Sequence, residues 1–349
     1  MALPFLLIVG LVVAVFVGVN IGGSSTGVAF GPATGSDVIT MRQAGLLMAV
    51  FVLVGGVTVG TNVVRTLGSE FVPATYFTLK ASIGVLLLTG FSILLGNLEK
   101  VSVSTSETAV GSVVGMGFAF GVLDLDVVLH VLKWWFLSAV IAFWVSAVIG
   151  RYLYEHIAAR IDLQSSETRT ITNVAVVAIG CYMAFSAGAS NVANVVAPLV
   201  GSGHLAMTPG VVLAGLTIGA GGLLLGHRTM ETVGEGITEL PVEGALIVEV
   251  LAATIITALS SAGIPASLAI TATTCVIGLG WGRASRRKSL RKPQTDDVQV
   301  DNDSWRAERF DLYDPAIAGR IISAWFLTPS LACVLAVVVF KGATAVGVL

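Results

Sequence analysis

Four clusters of small polar residues interrupt otherwise apolar runs of the chain. They are Asn20, Gly22, Gly23, Ser24, Ser25 and Thr26; Ser102, Ser104, Thr105, Ser106 and Glu107; Ser186, Gly188, Ser190, Asn191 and Asn194; and Pro265, Ser267, Thr271, Thr273 and Thr274. Polar groups in apolar surroundings are costly unless satisfied, so such interruptions mark places where a ligand is held. The clusters are dense in neutral hydrogen-bond donors, amide, hydroxyl and glycine-exposed backbone N–H, beside expected helix starts. That chemistry suits an anion, because a helix N-terminus carries roughly half a positive charge and its donors replace lost water. The same oxygens can ligate Na+, so residue type alone leaves anion and cation open. Lys and Arg are absent from all four clusters, which favours a releasable grip over a clamp. The histidines His130, His156, His204 and His227 are scattered, and no Ser/His/Asp or HExxH arrangement occurs. Enzymatic activity is therefore not expected, and neither is a metal site or a cofactor beyond a coupling ion, Na+ or H+.

The elements that must position these clusters lie in a membrane. Of 349 residues only 11% are charged, where soluble domains average roughly 25%. The hydrophobic share is 55%, the mean hydropathy +0.91, and the 40 glycines are scattered through apolar runs. These values exclude an ordinary soluble enzyme and predict an all-α polytopic membrane protein. The net charge of −2 offers no surface for nucleic acid, and Cys181, Cys275 and Cys333 show neither pairing nor metal spacing. Ten apolar segments are candidates for spans: 5–19, 44–60, 81–95, 104–121, 128–149, 171–187, 211–225, 245–259, 265–280 and 321–340. The fourth and ninth are broken by Ser, Thr, Gly or Pro and read either as spans or as re-entrant hairpins, which are tolerated only inside a protein-lined cavity.

No Lys or Arg precedes the first segment, so a cleaved signal peptide is not expected. With the N-terminus outside and all ten segments crossing, inside loops collect Arg42, Lys100, Arg151, Arg160, Arg169, Arg228, Arg320 and the basic residues from Arg283 to Arg309. The outside holds Arg65, Lys80 and Lys341. This asymmetry satisfies the positive-inside rule and predicts a multi-pass protein of the cell membrane with both termini outside. A homodimer is compatible with the sequence and not required by it. The polar stretch 282–314 reads as a cytoplasmic loop, a solvated connector in the plainer reading. In the other, its basic cluster around Arg286, Arg287 and Lys288 meets lipid headgroups.

The chain also repeats itself. Residues 60–68 (GTNVVRTLG) are echoed by 226–234 (GHRTMETVG) at an offset of 166, residues from Gly18 by residues from Gly188 at 170, and 103–106 (VSTS) by 266–269 (ASLA) at 163. Three echoes in the same order divide the chain into a first repeat at 1–150, a connector at 151–170 and a second repeat at 171–349. Five segments per half, an odd number, would turn the second half upside down relative to the first. Inverted repeats around a midplane site, with broken helices facing the substrate, are the usual build of secondary transporters.

At these residues the sequence resembles the PiT family of inorganic phosphate transporters. That family carries a GANDVANA-like signature once per half. Here the second copy reads GASNVANVVAP over 188–198 and the first, looser, GVNIGGSSTG over 18–27. Similarity extends to 35–44 (GSDVITMRQA), 60–68, 101–111 (VSVSTSETAVG), 226–240 (GHRTMETVGEGITEL) and 263–267 (GIPAS), in order along almost the whole chain. The resemblance implies an inverted-topology repeat of two five-segment halves that moves inorganic phosphate by ion-coupled alternating access. Sulfate or another oxyanion is the alternative cargo, and a non-transporting membrane scaffold the alternative class. Carried over by position, Asn20, Ser104, Thr105, Ser106, Asn194 and Ser267 are anion contacts, with Gly22, Ser24, Ser190 and Asn191 as further members. The family's signature Asp residues are replaced by Ile21 and Asn191, and its Ser-Thr-Thr-His pattern by residues 104–107 (STSE) and 267–270 (SLAI). Loss of both carboxylates leaves Glu107, where the family often has His, and Asn191 as the coupling candidates. Asp37 and Glu249 are lesser ones, and Arg42 and Gln43 match the family's RQ pair.

Overall fold

The computed structural model describes residues 2–98, 104–159, 166–236, 241–290 and 315–347. Among these residues there are ten principal helices and no strand. They are α1 (Ala2–Gly35), α2 (Met41–Glu70), α3 (Leu79–Leu98), α4 (Thr105–Phe120), α5 (Leu125–Ala158), α6 (Ser166–Gly201), α7 (Met207–Gly236), α8 (Val242–Ser261), α9 (Leu268–Leu290) and α10 (Pro315–Ala345). The winding of α2 loosens to π-helical at Gly56–Gly60 and Thr66–Glu70, and that of α5 at Ile149–Leu153. Local sequence sets the helix starts. Thr40 and Gln43 form a capping box on α2, which gives the Gln of the RQ pair a structural task. Asp124 accepts from the Asp126 and Val127 amides to start α5.

Eight of these helices are long and apolar enough to cross a membrane. The two that are not are α4 and α9, the fourth and ninth segments, which are the two that the sequence left open between spans and re-entrant hairpins. The cause is physical: α4 has 16 residues, short of the ~20 that a bilayer core needs, and α9 ends in the polar run from Arg283. Helix α5 continues through Ala158, α6 starts at Ser166 and α9 runs through Leu290. Ser102 and most of the 282–314 stretch lie outside the described residues.

Among the described residues, helices from the first half of the chain pack against helices from the second. Helix α1 lies along α7 while α6 lies along α2; α4 packs on α10 while α9 packs on α5. Glycines make these crossings close. A Cβ at Gly22 would collide with the Ile218 carbonyl of α7, and one at Gly188 with the Val52 carbonyl of α2. Likewise Gly115 of α4 abuts the Cys333 carbonyl and Gly278 of α9 the Phe143 carbonyl, a pair separated by the same 163 positions as the serine echo. Lipid supplies no hydrophobic drive between helices, so this backbone approach and its dispersion contacts hold the bundle together.

Helices α3 and α4 form one hairpin, and α8 and α9 another. The first is anchored where α5 begins: the Asp124 amide donates to the Phe71 carbonyl at 3.0 Å, and the Tyr76 and Phe120 rings stand 5.9 Å apart. The second is anchored where α5 ends: Tyr154 bonds Glu243 at the start of α8, and Arg151 bonds Ser285 near the end of α9. The two hairpins thus enter the bundle from opposite ends of α5.

Candidate functional site

Both hairpin tips are built on the same local device. Ser104 precedes α4 in extended conformation, and its Oγ accepts the Glu107 amide at 3.3 Å, while Thr108 Oγ1 donates to the Ser104 carbonyl at 2.7 Å. In the second tip Ser267 Oγ accepts the Ile270 amide at 3.3 Å, and Thr271 Oγ1 donates to the Ser267 carbonyl at 2.9 Å. Each serine is an N-cap, and each helix start carries the partial positive charge of its first-turn amides.

Between the tips runs the middle of α6. Asn191 lies about 15 Å from the Gly201 end of that helix by helical rise, well inside the bundle. Thr105 Oγ1 donates to Asn191 Oδ1 at 3.0 Å, and Ser106 Oγ reaches the same oxygen at 3.4 Å. Ser106 also meets Ser190 Oγ at 3.2 Å, and Asn194 Nδ2 donates to both Ser106 Oγ and Asn191 Oδ1 at 3.2 Å. Ser190 Oγ donates to the Ala266 carbonyl of the second tip at 2.6 Å. Asn191 Nδ2 reaches across to Ser25 Oγ of α1 at 3.4 Å. All of these side chains are buried, and Asn194 Oδ1 is enclosed with no hydrogen-bond partner. The result is a neutral network joining α1, α4, α6 and the α8–α9 tip.

The other sequence-derived candidates take separate places. Asn20 is buried on α1 and donates to the Phe16 carbonyl. Its own carbonyl accepts from Asn97, which stands at the end of α3 beside the first tip. Ser24 turns its hydroxyl back to the Ile21 carbonyl, so Ser25 rather than Ser24 joins the network. Gly22 serves the α1–α7 crossing. Ser267 spends its hydroxyl as a cap, and Glu107 occupies the first turn of α4, where an acid complements the helix dipole. Ile21, at the family's Asp position, is fully buried in the apolar core.

Sequence reasoning passed over Asn97 and Trp135. Trp135 Nε1 donates to the Pro265 carbonyl at 2.6 Å and Asn62 Nδ2 to the Ser261 carbonyl at 3.0 Å, so with Ser190 three side chains from α2, α5 and α6 pin three carbonyls around the second tip. The one available signal was the asparagine in an apolar helix end. Glu249 of α8 is buried and neither of its carboxylate oxygens has a hydrogen-bond partner. No cluster of three His, Cys, Asp or Glu side chains occurs among the described residues.

Chemically, hydroxyls and amides in this arrangement can turn donors toward a small oxyanion or oxygens toward a cation. No fixed charge sits in the network itself, so neither partner is held by a permanent ion pair.

Comparison with known proteins agrees in kind. The model of the phosphate transporter family matches residues 21–336. The sulfate permease CysP of Bacillus subtilis is 32% identical over 77% of this chain and 76% of its own. A Pyrococcus furiosus protein named as a candidate phosphate permease is 24% identical over 92% of each chain. Among solved structures, a sodium-dependent phosphate transporter superposes with a TM-score of 0.76 at 20% identity, covering 98% of this chain and 99% of that one.

Proposed function

The chain belongs to the phosphate transporter family, and we propose that it carries inorganic phosphate across the membrane by ion-coupled alternating access. The observation that carries this reading is the network of Thr105, Ser106, Ser190, Asn191 and Asn194, buried where two half-helices enter from opposite ends of α5. In this reading the halves are inverted repeats, and their exchanged packing supports it. Each hairpin returns to the end it left, so the expected orientation, both termini outside in a cell membrane, does not depend on whether α4 and α9 cross or re-enter.

The residues divide by role. Thr105, Ser106, Asn191 and Asn194 receive the anion, with the first amides of α4 and the Asn20–Asn97 pair at the edge of the site. Gly22 and Ser267 shape it through packing and capping. The coupling ion is Na+ or H+. The sodium dependence named for the solved relative favours Na+, taken by Asn191 and neighbouring hydroxyl oxygens. The buried, unpartnered Glu249 favours H+, and Glu107 is the acid nearest the anion. A carboxylate with no partner in a buried position is costly unless it meets a cation or a proton.

Sulfate is the second reading. It is favoured by the 32% identity to a sulfate permease and by the absence of both signature carboxylates, since a carboxylate can accept the hydroxyl hydrogen that hydrogenphosphate has and sulfate lacks. The test is uptake of labelled phosphate and of labelled sulfate into proteoliposomes, with Na+ and pH gradients imposed separately. Phosphate uptake driven by one of the gradients is the expected result. Sulfate uptake alone selects the second reading, and uptake of neither defeats both.

A further inference from the structure

We propose that the seam between the ends of α5 and α9 binds the headgroup of an anionic phospholipid. Three guanidinium groups converge there. Arg151 Nη1 donates to Ser285 Oγ at 3.0 Å, and Arg286 Nη1 donates back to the Arg151 carbonyl at 3.3 Å. Arg286 also pairs with Glu155 at 2.6 Å. Arg283 lies with its Cζ 4.0 Å from the centre of the Tyr154 ring, and its Nη1 is enclosed with no hydrogen-bond acceptor. The acids facing the seam are Glu155, engaged by Arg286, and Glu243, engaged by the Tyr154 hydroxyl at 3.3 Å. Three cations therefore face two anions, and Arg287 and Lys288 follow directly in sequence. A planar guanidinium with an unmet N–H is the side chain best shaped to take phosphate oxygens.

What distinguishes a lipid from a free phosphate ion is the surface just below. Trp144 of α5 and Trp281 of α9 are both half exposed and stand edge to face at 5.8 Å, with Phe143 against each of them. Val148 and Tyr152 continue the exposed apolar strip, and Arg151 lies 5.5 Å from the Tyr152 ring. Indole rings beneath arginines are the side-chain order of a membrane interface, polar heads above and acyl chains beside the rings. An aqueous phosphate ion has no use for that strip. The site is independent of the cargo, since none of these residues belongs to the transport network.

The full chain, reconstituted in phosphatidylcholine vesicles, provides the test. Tryptophan fluorescence is measured with brominated phosphatidylglycerol or brominated phosphatidylcholine as the quenching minority lipid. Each basic side chain near an anionic surface enriches such lipid roughly fivefold, so quenching by the brominated anionic lipid should exceed that by the zwitterionic one severalfold. The combined Arg151→Gln, Arg283→Gln and Arg286→Gln substitutions should remove the excess. The three matching Lys substitutions, which retain charge and guard against a misfolded Gln variant, should keep most of it. Trp144→Phe with Trp281→Phe should remove the anionic excess and leave the other four tryptophans quenched equally by both lipids. Equal quenching by both lipids, an excess that survives the Gln substitutions, or displacement by inorganic phosphate in the buffer would each overturn the proposal.

Discussion

The tips of the two hairpins carry the same frame and opposite chemistry. Ser104 and Thr108 recur as Ser267 and Thr271 with the same capping bonds, and both helices use glycine to press against a helix of the other half. Inside the caps the first tip presents Thr105, Ser106 and Glu107, whereas the second presents Leu268, Ala269 and Ile270. The bonds that cap the helix start are the same at both tips, and the side chains just inside the caps differ. The site is therefore one-sided: side-chain donors come from α4 and α6, and the second tip contributes backbone carbonyls fixed by Asn62, Trp135 and Ser190.

The sharpest way to break this comparison is to fill the donor side. Asn194→Leu should abolish uptake while the protein still folds, and Ser106→Ala should lower it roughly tenfold, from the loss of one buried hydrogen bond. The mirror change, Ala269→Ser, should alter uptake by less than about twofold. Initial rates in proteoliposomes compare all three, and equal losses at Ser106 and Ala269 would show a symmetric site. Next in size is Glu107→Gln. If this acid carries the coupling proton, uptake in the variant should no longer speed up when an inward pH gradient is imposed, whereas Ile270→Gln should leave that response intact. Trp135→Phe frees the Pro265 carbonyl and should lower the rate several-fold and the unfolding free energy by about 1 kcal/mol, read as a lower melting temperature in detergent. Smallest is the pair Ser104→Ala and Ser267→Ala. As equivalent N-caps they should cost the same stability, about 1 kcal/mol each. Only the first, which also orients Thr105 and Ser106, should reduce uptake further.

Much of this asymmetry was legible in the residues. The 163-position offset pairs Ser104 with Ser267, which cap their helices alike, and Gly115 with Gly278, which both pack against a carbonyl. The broken fourth and ninth segments stood out because Ser, Thr and Pro cannot form an apolar span. Helix phase was not legible. Residues 22–26 form an unbroken polar run that winds around more than one full turn, and only packing against α7 assigns Gly22 to the crossing and Ser25, not Ser24, to the network. Trp135 was hidden for a related reason: its partner is a backbone carbonyl 130 positions away, and carbonyls have no residue identity to read. Helix ends also ran past their expected limits at Ala158 and Leu290, because arginines there find partners that extend the last turns.

One hydrogen atom makes the contact between Ser106 and Ser190. Ser190 has already given its own to the Ala266 carbonyl, so toward Ser106 it can only accept, and Ser106 must supply the hydrogen for their 3.2 Å contact. Ser106 has no second one to offer. An acceptor that took that hydrogen would therefore release Ser106 from Ser190, while Thr105 and Asn194 would still join the tip to α6.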